Sequence, residues 1–159
     1  MKQFIFLLLT LSVLACGGGG DPAPTPTPPT PTVSVSTLVK KVWTVNTAQW
    51  DGVTKYDKTS TSNVVQGYSQ YKLDLSTAGS VTLTEFDGKI FTGTYTVATD
   101  GNSLTLSGLT SAEGAPTGTG GTIIYSILST PTATGLSLQQ STAYVKASSA
   151  IVKLALVNP

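Results

Sequence analysis

From Tyr71 to Leu109 apolar and polar residues alternate in runs of five to eight, broken by short glycine-bearing turns. The runs are Tyr71–Leu75, Val81–Phe86, Ile90–Val97 and Ser103–Leu109. A period of two is what a half-buried strand requires, because successive side chains point to opposite faces. Asp87-Gly88 and Asp100-Gly101-Asn102 are the residues that two- and three-residue hairpin turns prefer, and Ala78-Gly79 closes the hairpin before them. The stretch therefore predicts an antiparallel β-meander. Upstream, Thr37–Val45 predicts a helical turn or coil feeding a strand that carries Trp43. The polar region Thr47–Gln70 predicts a long connection with a ragged strand near Val64, and it leaves Trp50 as an exposed aromatic beside Asp51-Gly52. Downstream, Ser111–Gly121 predicts a loop able to act as a lid. Strands are expected at Thr122–Ser129, Leu136–Gln139 and Ile151–Val157, with a short one at Tyr144-Val145. Eight or nine strands joined by hairpins, with no amphipathic segment of helix length, favour a closed up-and-down barrel, since closure removes exposed edges. A β-sandwich is the alternative all-β arrangement.

The N-terminal part follows different rules. Met1–Ala15 has Lys2, an apolar run Phe4–Leu14 interrupted by Thr10 and Ser12, and a small residue before Cys16. That is the anatomy of a signal peptide, and the run falls short of the roughly 20 residues that a spanning helix needs. Val13-Leu14-Ala15-Cys16 resembles the lipobox of bacterial lipoproteins, which implies a lipid-modified Cys16, with acyl chains such as palmitate, as the first mature residue. Cys16 is the single cysteine of the chain, so no disulfide competes for it. Buried acyl chains contribute about 0.8 kcal/mol per methylene, enough for stable attachment to a membrane. Gly17–Thr32, all Gly, Pro, Thr and Ala apart from Asp21, has nothing from which to build a core and reads as a flexible-to-extended spacer. The expected organisation is a signal peptide 1–15, a lipidated cysteine and linker 16–36, and one β-domain 37–159. Gly17 in place of an aspartate after the cysteine points to the bacterial outer membrane, on its periplasmic face or at the cell surface.

Composition narrows the chemistry. Removing Lys2 with the signal leaves eight lysines against eight carboxylates, and the chain holds no arginine and no histidine. A neutral chain without guanidinium groups argues against a nucleic-acid partner. Without histidine, the commonest acid/base group and metal ligand is missing. Glu85 and Asp87 are the carboxylates nearest one another in the meander, and they read as solvated acids flanking a turn. Asp100-Gly101-Asn102 lacks the further oxygen ligands of a calcium loop. The expectation is a non-enzymatic, monomeric protein with no cofactor and no metal.

Trp43 in the opening strand, Tyr71-x-Leu73-x-Leu75, Val81-x-Leu83, Phe91–Val97 and the Asp100–Leu106 turn and strand together resemble the lipocalin-like lipoproteins of Bacteroidetes over about residues 38 to 157. The resemblance implies an eight-stranded calycin-type barrel. Lipocalins proper have glycine two residues before the tryptophan and an arginine packed over its ring; here Lys41 holds the glycine position, and Lys146 and Lys153 are the candidates for the cation. For a ligand, a small apolar or amphipathic molecule, the lining candidates are Trp43, Tyr71, Phe91, Gly93, Tyr95 and Tyr125, with Gly93 leaving room between two aromatics. The same residues could instead fill the interior, since eight strands enclose about the volume that side chains can plug. A surface module that contacts carbohydrate or protein through the Thr47–Gln70 and Ser111–Gly121 loops is the competing function.

Overall fold

A computed structural model of the chain describes residues 33–159. The expected signal peptide, Cys16 and the linker as far as Thr32 lie outside the described residues. A one-turn helix α1 (Val35–Leu38) leads into strands β1 (Val42–Trp50), β2 (Val53–Asp57), β3 (Lys72–Asp74), β4 (Ser80–Thr84), β5 (Ile90–Val97), β6 (Ser103–Thr110), β7 (Ile123–Ile127), β8 (Gly135–Gln140) and β9 (Val152–Val157). From β3 to β9 each strand pairs antiparallel with the next. β1 joins β3 on one side and β9 on the other, so eight strands close on themselves. The short β2 continues the β3 side of β1 beyond the barrel wall. This is the expected up-and-down barrel of eight strands, and a continuous closed sheet is not the paired sheets of a sandwich.

The inward positions follow the alternation: Leu73 and Leu75, Val81 and Leu83, Phe91 and Tyr95, Leu104 and Leu106, Ile123, Tyr125 and Ile127, Leu136 and Leu138, then Val152, Leu154 and Leu156 are all buried. Besides a shift in the β1–β2 pairing, two bulges in the barrel wall break the period. In β1 the pairing with β9 shifts between Val45 and Thr47, so the buried residues change from Trp43 and Val45 to Ala48. The strand therefore runs on to Trp50, where Asp51 and Gly52, both with positive φ, turn it into β2. The connection expected at Thr47–Gln70 is largely this hairpin followed by a 3-10 helix, Gln66–Gln70; Val64 is an exposed residue outside any strand. An alternating pattern cannot announce a strand whose faces exchange halfway along.

The second bulge lies where β5 meets β6. Pairing passes from Thr92 with Thr110 to Thr94 with Ser107, and Gly108, at φ 62°, absorbs the extra residue. A Cβ on Gly93 would stand 2.6 Å from the Ser107 carbonyl oxygen and 3.1 Å from the Leu109 nitrogen. Gly93 therefore does not open space between Phe91 and Tyr95. It lets the β6 backbone come close while the sheet coils tightly around the barrel.

At the base of the barrel Trp43 is fully buried and its indole donates to the Val39 carbonyl at 2.8 Å. The ammonium of Lys41 lies 5.8 Å from the centre of the indole ring and donates to the Ala133 carbonyl. The cation over the tryptophan thus comes from Lys41, two residues before it in the chain, and neither Lys146 nor Lys153 takes that place.

Candidate functional site

The polar chemistry of the interior is concentrated at the opposite end, which we call the mouth. There β4 and β8 run out with their inward faces still toward the axis. Continuing the series Val81, Leu83 puts Glu85 inside, and continuing Leu136, Leu138 does the same for Gln140; both are buried, at 2% and 6% exposure. A charged side chain so deeply buried needs partners. Glu85 has two, both from the segment between β8 and β9: the Tyr144 hydroxyl donates to Oε1 and the Lys146 ammonium to Oε2. Lys146 also donates to Asp87 Oδ2 at 2.7 Å and lies 5.6 Å from the centre of the Phe91 ring. Glu85 and Asp87, expected as solvated acids, thus share one ammonium, one carboxylate buried and the other at the surface. Alternation alone would have put Glu85 indoors; its partners come from a loop with no period.

That loop is a strap across the mouth. Tyr144, Ala147 and Ala150 are buried beneath it, and Val145–Ala147 forms a single 3-10 turn in place of the expected short strand. Its backbone hydrogen bonds are largely internal: Tyr144 N to Ala150 O, Ala147 N and Ser149 N to Tyr144 O, and Ala150 N to Ala147 O. Ser148 and Ser149 both take left-handed φ, 56° and 60°, to make the tight return. Side chains, chiefly Tyr144 and Lys146, are what fasten the strap to the barrel.

Beside it an aromatic group fills the rest of the mouth. Tyr68, from the 3-10 helix, is buried with its ring centre 4.9 Å from Phe86 and 6.1 Å from Tyr71. Trp50 packs on Phe86 at 6.1 Å and donates its indole N–H to the Tyr68 hydroxyl at 2.8 Å. Trp50 is therefore partly buried and held in place rather than free to stack on a partner. Gly67 sits so close to the Phe86 carbonyl that a Cβ there would fall 1.9 Å from its oxygen, which locks the 3-10 helix against the β4–β5 hairpin.

Beneath these groups lies a void of about 10 Å³ bordered by Tyr71, Glu85, Tyr125, Gln140 and Tyr144, about the volume one water needs. The Tyr71 and Tyr125 hydroxyls meet at 3.3 Å across the barrel, and the Gln140 side chain borders the same void. The Gln140 Oε1 atom is buried and has no hydrogen-bond partner. On the outer side Gln140 and Tyr144 also border a surface recess of about 220 Å³, together with Thr119, Ile123 and Ile124. Burial pushes the Tyr125 hydroxyl up to about 12, and burial likewise raises Tyr71 well above its ordinary value. Burial first, and then the hydrogen bond to Glu85, raises Tyr144. Burial alone would lower Lys146, but its hydrogen bonds to Asp87 and Glu85 outweigh it and hold the ammonium above its ordinary value.

The candidate ligand residues fall into three groups. Tyr71 and Tyr125 border the void. Phe91 lies under Lys146, and Tyr95 donates its hydroxyl to the Leu75 carbonyl at 3.1 Å. Trp43 is at the base, and Gly93 faces the β6 backbone. No chamber bounded by all six is present among the described residues, because the middle of the barrel is packed with leucine, valine and isoleucine. Glu85, Gln140, Tyr144 and Lys146 belong to the site although the sequence pattern did not assign them to it. Among the described residues no helix is long and apolar enough to cross a membrane.

No family model matches the chain, and no curated protein does. Among solved structures it is similar to a lipocalin-like protein from Bacteroides uniformis ATCC 8492, with 14% identity over 77% of this chain and 99% of that one and a TM-score of 0.48. It is also similar to an uncharacterized protein from Bacteroides eggerthii DSM 20697, with 12% identity over 75% and 98% of the two chains and a TM-score of 0.45.

Proposed function

We propose that the protein is a non-enzymatic, lipid-anchored, extracytoplasmic barrel that binds a small amphipathic molecule at its polar mouth, as a monomer. The observation that carries this reading is the buried amide oxygen of Gln140, left without a donor beside a void at the end of a closed barrel. Leaving such an acceptor unmet costs about 1–3 kcal/mol, a cost that an interior built only for stability would avoid with leucine at the same position. The site differs from the deep cavity that the six lining candidates would have formed. The apolar middle of the barrel is full, so a ligand enters only as far as the ring of Tyr71, Tyr125 and Gln140, and its apolar part occupies the volume now taken by the strap. Anchoring rests on the sequence around Cys16, with Gly17 favouring the outer membrane.

Mass spectrometry under native conditions on the full chain, purified from its own membranes, tests the binding claim. A co-purifying amphiphile, lost from a Gln140→Leu variant, is the expected result. A chain that carries no such molecule and takes up none from a panel of amphiphiles defeats the reading.

A further inference from the structure

We infer that the mouth is an ammonium site kept occupied by the chain's own Lys146, and that the ligand it takes is a primary alkylammonium. This rests on the ligand-binding reading above and names its ligand class.

The groups that converge there are those an ammonium needs. Glu85, buried and able only to accept, and Asp87 face the same nitrogen; the Phe91 ring lies 5.6 Å from it, within reach of a cation–π contact. Two carboxylates share one lysine, so the site carries an excess negative charge even when closed. Lys89, whose charge also acts on Asp87, has its ammonium paired with Glu113. An anion has no welcome in such a place, and a neutral alcohol leaves the excess charge unanswered.

The void adds an independent observation. It is bordered by Glu85 and by Gln140, whose unpartnered oxygen needs a donor. A hydroxyl brings one donor, whereas an –NH₃⁺ head brings three and can serve Glu85, Gln140 and a tyrosine oxygen together. The head is about the size of the water that the void could hold. Its alkyl chain must leave past Tyr144, so binding requires the strap to lift. The latch is Lys146 itself, and the strap's internally bonded backbone can move as a unit. Lys146, whose ammonium sits on Glu85 Oε2 outside the void, thus competes with the ligand for that one carboxylate.

Calorimetric titration of the full chain with hexylammonium, 1-hexanol and hexanoate at pH 7 separates the possibilities. Hexylammonium should bind at least tenfold more tightly than the other two. Lys146→Met, which keeps the apolar stem and removes the competing charge, should tighten amine binding about tenfold, and Glu85→Gln should abolish it. Gln140→Leu removes an acceptor that has no partner, so the fold is retained and amine binding alone should fall several-fold. This variant keeps the test decisive if changes at Lys146 or Glu85 disturb folding. Hexanol binding as tightly as the amine, or amine binding indifferent to Gln140→Leu, overturns the ammonium inference while leaving an amphiphile site in place. Failure of all three probes to bind either the wild type or Lys146→Met overturns both.

Discussion

Replacing Gly93 with alanine tests the account of how the barrel coils. The added methyl would lie 2.6 Å from the Ser107 carbonyl oxygen, where ordinary van der Waals contact starts near 3.4 Å, with the Leu109 nitrogen and the Gly108 carbonyl carbon at 3.1 and 3.2 Å. All three are backbone atoms, so no flexible side chain can yield. Relief needs a movement of roughly 0.8 Å at the bulge, and overpacking of this kind costs about 1–3 kcal/mol. Alanine returns about 0.4–1 kcal/mol by restricting the unfolded chain, so the net loss should be about 1–2 kcal/mol. With an m-value on the order of 2 kcal/mol per molar urea, the midpoint of unfolding should drop by about 0.5–1 M. Circular dichroism at a series of urea concentrations reads this directly. An unchanged or higher midpoint would mean that Gly93 faces free space inside the barrel and that the close approach to β6 is wrong.

Alkaline pH should unfold the protein. Lys146 and the buried Tyr71, Tyr125 and Tyr144 are all held above their ordinary values, so their contribution is complete below about pH 10 and is lost as pH climbs through their folded values. Tyrosinate absorbance at 295 nm should therefore rise together with the loss of near-ultraviolet circular dichroism; ionisation of these tyrosines at their ordinary value in an intact barrel would contradict it. Tyr144→Phe removes the hydroxyl donor to Glu85 and should cost about 1.5–3 kcal/mol, the range for a hydrogen bond to a charged group, as measured by urea unfolding. Tyr68→Phe deprives the Trp50 indole of its acceptor and should cost about 1 kcal/mol with a shifted tryptophan emission. Cys16→Ser should move the protein from the membrane to the soluble fraction; unchanged sedimentation with membranes would refute lipid anchoring.

Where the sequence alternates without interruption, the fold could be read from it. Val81–Phe86, Ile90–Val97 and Ser103–Leu109 are strands within a residue or two, and Gly79, Gly88 and Gly101 have the positive φ that their turns require. β1 beyond Asn46 was illegible because a bulge exchanges its faces, and β2 because only Tyr56 of its five residues is buried. The site was half legible. Glu85 and Gln140 stand on the inward parity of their strands, two residues past the last leucine, a signal carried by the alternation itself. Tyr144 and Lys146 gave no such sign, since a strap with no regular period is located only by what it covers. Gly93 shows the opposite error: a small residue between aromatics looks like space, and here a neighbouring backbone has taken it.

The seam between β1 and β9 sets the order in which the molecule can be completed. Thr44 pairs with Val157, 113 residues away, so the first wall of the barrel must wait for β9 to be synthesised. Until then β1 offers one bare edge and β8 another, each able to recruit a strand from a second chain. Long-range closure of this sort folds slowly because the loop entropy is lost before the pairing returns it. A chain shortened by β9 would not be a slightly weaker barrel but an open, self-adhesive sheet, and the hazard ends only when the final six-residue strand arrives.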